Sequence, residues 1–145
     1  MFLKGEKMIS QTKVIVRYAE TDKMGIVHHS VYPIWYEAAR TEAIKKIGIS
    51  YSNLEKNGIM TPLVELNCKY IMPAEYEDVL TINVDISKLT PARIVFNYEI
   101  YKPGIEKPIN IGSTTHAWVG KDLKPINLKK QYPKIYEKVE GLAEI

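Results

Sequence analysis

The sequence predicts an α+β fold, in which one five-stranded antiparallel sheet curls around a single long helix. Three observations support this class: one alternating segment comes first, a strongly apolar helical segment follows, and four more alternating segments come after it with short connections. Short connections favour antiparallel pairing, because parallel strands need long crossovers. We therefore expect one domain over residues 1–145, with a core over about 12–128 and a C-terminal helix over about 132–142.

The first strand is predicted over residues 12–18. Val14 and Val16 alternate with Lys13 and Arg17, a pattern typical of a strand with one buried face. The alternation puts Tyr18 at the end of this strand, on the same face as the two valines.

The central helix is predicted to begin at Ser30 and to end at Ile47. Ser30 is a good helix cap, and Pro33 lies in the first turn, where its missing N–H costs nothing. Gly48 follows as the stop residue. The first half of this helix is apolar all round, which predicts that other structure surrounds it.

The rest of the chain predicts a short helical turn capped by Ser50, and then four strands. The strands are expected over residues 62–71, 80–86, 94–100 and 109–119. Cys68 falls among the inward-facing residues of its strand, which favours a packing role over a nucleophilic one.

The composition argues against a nucleic-acid-binding, membrane-spanning or secreted protein. A net charge of +3 is small for a nucleic-acid binder. The single cysteine excludes an intramolecular disulfide, and no apolar segment approaches the length of a membrane span. Lys4 and Lys7 interrupt the apolar residues near the start, so no signal peptide is predicted. We therefore expect a cytoplasmic protein.

One segment has the residue types that acyl transfer requires. It reads Tyr18-Ala-Glu-Thr-Asp22-Lys-Met-Gly25-Ile-Val-His28-His29-Ser30, and it places a carboxylate and an imidazole just ahead of a helix N-terminus. Free backbone N–H groups and the helix dipole can stabilise a negative oxygen there. A second interpretation is that Asp22 opens a type I turn that ends in Gly25, and both interpretations can hold together.

The same segment resembles the signature of the hotdog-fold acyl-CoA thioesterases. The most similar group is that of 4-hydroxybenzoyl-CoA thioesterase and the related acyl-CoA thioesterases of bacterial Tol-Pal gene clusters. The resemblance rests on Tyr18-x-x-Thr21-Asp22-x-x-Gly25-Ile26-Val27-x-His29 with Tyr36-Glu37-x-x-Arg40 behind it. It extends over about residues 12–128 through Leu66-x-x-Lys69-Tyr70-x-x-Pro73-Ala74-x-x-x-Asp78-x-Leu80.

This resemblance implies that Asp22 is the catalytic carboxylate, either as the nucleophile or as the general base for water. It also implies that the backbone N–H at His29 is the oxyanion donor, with the His29 side chain near the reacting carbonyl or the leaving thiolate. Tyr18 is expected to hydrogen-bond the carboxylate or to line the pocket, and a second interpretation is a tyrosine at the strand end with a solvent-exposed hydroxyl. His28 is expected at the surface or at an interface.

Three further residues are expected to lie along the substrate. Gly25 would allow a close approach of the backbone or a positive φ, and Val27 follows it in the motif. Glu37 lies on the mostly apolar helix, which supplies the catalytic carboxylate in another branch of the hotdog thioesterases; pairing with Arg40 is the simpler account. Glu20 is assigned no role, and its side chain is expected to point to solvent.

The expected reaction is hydrolysis of acyl-CoA, or of an acyl carrier protein thioester, to a free acid and a thiol. No cofactor is implied, since coenzyme A is part of the substrate, and no metal site is predicted, because the three histidines and one cysteine lack zinc-ligand spacing. The family pairs through sheet edges, so we expect a homodimer or homotetramer with a shared pocket. The alternative is a non-catalytic protein that binds or senses acyl thioesters on the same fold.

Overall fold

The structure is a computed structural model that describes residues 8–143, and Lys4 and Lys7 lie outside that range. Its strands form one five-stranded antiparallel sheet, as the sequence predicts. The strands are β1 (Ser10–Ile15), β2 (Leu63–Tyr70), β3 (Val79–Leu89), β4 (Arg93–Tyr101) and β5 (Asn110–Ala117). No helix within residues 8–143 has the length and apolar character needed to cross a membrane.

The strand order is β1-β3-β4-β5-β2, which puts β2 at an edge. Although β2 is followed by β3 in the chain, it pairs with β5, so that Cys68 lies opposite Gly112. The short connection between β2 and β3 therefore joins strands that are not neighbours, which alternation along the chain does not predict. The result is an edge strand whose apolar side chains are exposed: Leu63, Val64, Leu66 and Tyr70.

The long helix α1 (Tyr32–Lys45) contributes one side of the core. It begins later than predicted, because residues His29–Val31 form a separate 3-10 turn. Ser30 is not the cap: the His28 ring accepts the Ser30 N–H at 3.2 Å and caps this turn instead. Gly48 follows α1 with a φ of 84°, consistent with its predicted role as the stop residue.

Aromatic packing fixes the position of α1 against the sheet. The Tyr36 ring stacks on Tyr98 of β4, with 4.2 Å between centroids and 6° between planes. A Cβ on Gly112 of β5 would collide with the Tyr36 ring, so a glycine is required at this close approach. The Tyr36 hydroxyl donates to Asn110 of the same strand, so this buried phenol has a polar partner.

Three shorter helices complete the fold. The predicted turn after Ser50 is helix α2 (Tyr51–Lys56), and the Ser50 side chain caps it by accepting the Asn53 N–H at 3.2 Å. The predicted C-terminal helix is α4 (Pro133–Ala143), and Tyr132 divides it from a short helix α3 (Leu128–Gln131) that the sequence does not predict. The division follows from Pro133, which disfavours the helical conformation in the residue before it.

Candidate active site

Asp22 lies in a tight turn between two short bridged segments. Its backbone carbonyl accepts the Gly25 N–H at 2.9 Å, and its own N–H donates to the Ile26 carbonyl at 2.9 Å. Gly25 has a φ of 83°, so the turn needs the left-handed conformation that glycine adopts without strain. The predicted turn from Asp22 to Gly25 is therefore confirmed. The same turn leaves the Asp22 carboxylate half-buried rather than buried.

The segment from His28 to Tyr32 forms the start of the helix that faces this turn. The Val31 N–H donates to the His28 carbonyl at 3.0 Å, which closes the 3-10 turn. Within residues 8–143, the His29 N–H has no hydrogen-bond acceptor. A free N–H at a helix start can donate a hydrogen bond to an oxygen that carries negative charge. The His28 and His29 rings are exposed and 4.2 Å apart, which agrees with a surface position for His28.

Asp22 and His29 line one cavity of about 290 Å³. Apolar side chains provide most of its wall, and the buried Val27 is among them. The wall residues are Asp22, Met24, Ile26, Val27, His29, Tyr32, Tyr70, Ile71, Met72 and Pro73. A largely apolar cavity whose lining residues supply a carboxylate and a free backbone N–H can hold an acyl group and act on its carbonyl.

Glu20 corrects one expectation, since it points inward and not to solvent. It is 8% exposed, and its carboxylate accepts the Arg17 N–H at 2.7 Å and the Trp35 indole N–H at 3.3 Å. Its backbone carbonyl also accepts the His28 N–H at 2.9 Å. Glu20 therefore ties the segment ahead of Asp22 to helix α1. Local spacing does not predict this burial, because Arg17 has no side-chain acceptor for a capping box and the bond to Trp35 joins residues 15 positions apart.

Tyr18 lies beyond the end of the first strand, and its exposed side chain fits the second of its two interpretations. Strand β1 ends at Ile15, and Tyr18 belongs to a 3-10 turn over Tyr18–Glu20. The Tyr18 side chain is 76% exposed and packs edge-on against Tyr76, at 5.6 Å between ring centroids. It is not among the residues that line the Asp22 cavity. The alternation fails here because the 3-10 turn rotates the chain away from the strand direction.

Glu37 lies away from the Asp22 cavity within one chain. It lines a separate polar cavity of about 300 Å³ together with Arg40 and Tyr51. Its side chain is largely exposed, and one oxygen lies 4.0 Å from the Arg40 guanidinium, which supports the simpler account as an ion pair. A Cβ at Gly25 would meet no other atom of this chain, and its φ of 83° fits the predicted positive φ.

A buried polar network joins β4, β5 and the residues that precede β2. The His116 ring contacts the Thr61 carbonyl at 3.1 Å and the Thr114 hydroxyl at 3.0 Å, and the Tyr98 hydroxyl lies 2.6 Å from Thr114. Burial and the nearby Arg40 charge lower the pKa of His116 to about 4. His116 is therefore neutral at neutral pH.

The edge strand contributes two further polar groups near the site. The Tyr70 hydroxyl donates to the His29 carbonyl at 2.7 Å. Cys68 is half-buried, with its sulfur 3.4 Å from the Tyr36 hydroxyl, in agreement with the expected packing role. Among residues 8–143, no group of three or more histidine, cysteine or carboxylate side chains is arranged to hold a metal ion.

The known proteins that are similar to this chain are described as thioesterases. A family model described as the thioesterase superfamily matches residues 24–109. A Bacillus subtilis protein named putative acyl-CoA thioesterase YneP is 38% identical over 126 residues, which is 86% of this chain and 91% of that protein. The Arabidopsis thaliana acyl-acyl carrier protein thioesterase ATL3 is 28% identical over 129 residues, covering 87% of this chain and 68% of that protein.

A solved structure extends this similarity to three dimensions. A Staphylococcus aureus protein described as a DHNA-CoA thioesterase superposes with a TM-score of 0.83 and is 37% identical. The match covers 92% of this chain and 91% of that one. The similarity therefore extends over nearly the full length of both chains.

Proposed function

The chain belongs to the thioesterase superfamily, and on this basis we propose that it hydrolyses acyl-CoA, with Asp22 as the catalytic carboxylate and the His29 N–H as the oxyanion donor. The observation that carries the proposal is that Asp22 and His29 line the same largely apolar cavity at a helix start. The names of the B. subtilis and S. aureus relatives support a CoA thioester as substrate.

The reaction needs one water and yields a carboxylic acid and a thiol. In the first route an Asp22 oxygen attacks the thioester carbon, the C–S bond breaks, and the thiolate leaves with the electron pair. Water then opens the mixed anhydride and restores Asp22. In the second route Asp22 takes a proton from water, the resulting hydroxide attacks the same carbon, and the thiolate leaves and is protonated.

In both routes the His29 N–H would bind the carbonyl oxygen as it becomes negative. Such a donor acts in place and needs no reorganisation during the reaction. We favour attack by Asp22, because a thiolate leaves easily and the helix start already stabilises the oxyanion. The exposed His29 ring lies at the same cavity, where it is available to the departing thiolate.

We further propose that two copies pair through β2. This strand lies at the edge of the sheet, and its unpaired backbone groups and exposed apolar side chains favour association with another strand. A two-fold axis through the strand would bring the partner's β2 beside Ile71 and Met72, which line the Asp22 cavity. The pocket would then be shared between chains, as a dimer or as half of a tetramer. The expected cytoplasmic location stays a prediction.

A hydrolysis panel tests the proposed function. Purified protein is mixed with aromatic, short-chain and long-chain acyl-CoAs, including DHNA-CoA, and the released thiol is measured. We expect thiol release from at least one class. Acyl carrier protein thioesters form a second arm, which the similarity to ATL3 motivates. Tight binding of acyl-CoA in calorimetry without thiol release would instead support the non-catalytic binding protein.

A further inference from the structure

We infer that Tyr70 is a positioning residue, whose hydroxyl holds the helix start so that the His29 N–H points at the reacting carbonyl. This inference rests on the proposed function. Tyr70 lies at the end of β2, and its hydroxyl donates to the His29 carbonyl at 2.7 Å across 41 residues of sequence. This hydrogen bond joins the edge strand β2 to the 3-10 turn over His29–Val31.

The hydrogen bond acts on the backbone that carries the oxyanion donor. The carbonyl and the N–H of His29 are connected through one Cα, so holding the carbonyl limits how far the N–H can rotate. The next two N–H groups of this turn bond within the turn: Ser30 N–H donates to the His28 ring, and Val31 N–H donates to the His28 carbonyl. Tyr70 therefore supplies the restraint from outside the turn.

The ring of Tyr70 is also held in place. It packs edge-on against Tyr32, the first residue of α1, at 5.1 Å between centroids and 86° between planes. Burial and the neighbouring Cys68 thiol raise the pKa of the Tyr70 hydroxyl above its usual value. A phenol is protonated across the neutral range even at its ordinary pKa of about 10, so the Tyr70 hydroxyl can donate this hydrogen bond throughout that range.

Tyr70 also links the edge of the sheet to the helix start. Because Tyr70 belongs to the edge strand that we expect to pair with a second copy, the hydrogen bond connects the assembly edge with the catalytic turn. Pairing would order β2 and, through Tyr70, the orientation of the His29 N–H. Positioning errors of about 1 Å can cost on the order of a hundredfold in rate, so the loss of this one bond is expected to be measurable.

The test compares Tyr70→Phe with the wild type on the best acyl-CoA from the panel. Loss of the hydroxyl should lower kcat by about tenfold to a hundredfold, with KM changed by less than about twofold. The pH profile of the remaining activity should keep its shape, since Tyr70 transfers no proton. Tyr76→Phe removes a half-exposed phenol outside the cavity and should leave both constants unchanged.

A readout independent of activity separates this inference from the proposed function. Hydrogen exchange at the Val31 amide, which closes the 3-10 turn, should be faster in Tyr70→Phe and unchanged in Tyr76→Phe. If the wild type hydrolyses no thioester, the proposed function fails while the exchange result still reports on the restraint. An unchanged kcat in an active enzyme would overturn the inference, as would a change confined to KM. Wild-type activity in Tyr70→Phe with a loss only in Tyr70→Leu would assign the effect to ring packing and would also overturn it.

Discussion

Asp22 Oδ1 accepts the Met24 N–H at 2.8 Å, so one oxygen of this carboxylate holds its own turn. Within residues 8–143, the second oxygen has no hydrogen-bond donor, and it belongs to a side chain that lines the cavity. The two oxygens therefore have different surroundings: one is structural and the other is available for chemistry. This arrangement reconciles the turn-forming and the catalytic interpretations of Asp22.

The first prediction follows from the different surroundings of the two Asp22 oxygens. Asp22→Asn keeps an oxygen that can accept the Met24 N–H, so the turn should remain, but the amide cannot attack or take a proton. We expect turnover to fall by about 10²–10⁴-fold with little change in melting temperature. Thiol release and thermal unfolding check these two outcomes.

The chain offers a matched control for this variant. Asp122 makes the same type of local bond, with its Oδ1 accepting the Lys124 N–H at 3.0 Å, and it is not among the residues that line the Asp22 cavity. Asp122→Asn should therefore leave turnover unchanged. Wild-type turnover in Asp22→Asn would show that the catalytic assignment is wrong.

The second prediction distinguishes the two roles of Asp22. In a single turnover in heavy-oxygen water, attack by Asp22 followed by opening at the aspartyl carbonyl leaves the label on the protein. Mass spectrometry of the peptide that contains Asp22 should then detect one heavy oxygen, which is the outcome we expect.

Activation of water by Asp22 would send the label directly into the product acid. Opening of the anhydride at the acyl carbonyl gives the same product label, so only label in Asp22 identifies attack. Label found in the product alone would make the general-base route the preferred one.

The third prediction concerns assembly through β2. Light scattering at micromolar concentration should give the mass of a dimer or tetramer. Leu66 is exposed near the middle of β2, so Leu66→Lys would bring like charges together at a two-fold axis and should produce monomers with reduced activity.

An apolar residue on the opposite edge provides the comparison. Ile15 ends β1 and is 63% exposed, so Ile15→Lys should not change the mass. A fully active monomer, in the wild type or in Leu66→Lys, would refute the shared pocket.

The fourth prediction follows from the lowered pKa of His116, which burial causes first and Arg40 second. The unfolded chain binds a proton at His116 below its ordinary pKa of about 6.5, whereas the folded chain does so only near 4. The unfolded state thus binds more protons between these values, and the free energy of unfolding must fall as the pH drops through this window. The loss should reach about 3 kcal/mol at pH 4.

Two measurements check this prediction. Urea unfolding between pH 7 and 4 should show a weaker pH dependence in His116→Gln than in the wild type. In the wild type, the NMR signals of the His116 ring should not titrate above about pH 5. A midpoint near 6.5 for those signals would contradict the buried neutral state.

Local features of the sequence were sufficient to predict much of this protein. The turn from Asp22 to Gly25, the capping role of Ser50 and the alternation along β3 and β4 depend on residues within a few positions of one another. Short-range backbone preferences decide such features, so they can be predicted before any tertiary contact is known. The resemblance of the Tyr18–His29 motif to hotdog thioesterases identified the family on the same local residues.

Only the tertiary structure decided which distant residues meet. It placed Glu20 under Trp35, turned Tyr18 outward against Tyr76, and joined the Tyr70 hydroxyl to the His29 carbonyl. It also put β2 beside β5, which exposes the edge that we expect to form the shared pocket. These contacts depend on strand order and on the packing of α1 against the sheet. Alternation along a strand specifies which face a residue occupies but not which strand lies next to it, and this is why the pattern predicted the elements of the site but not all of their contacts.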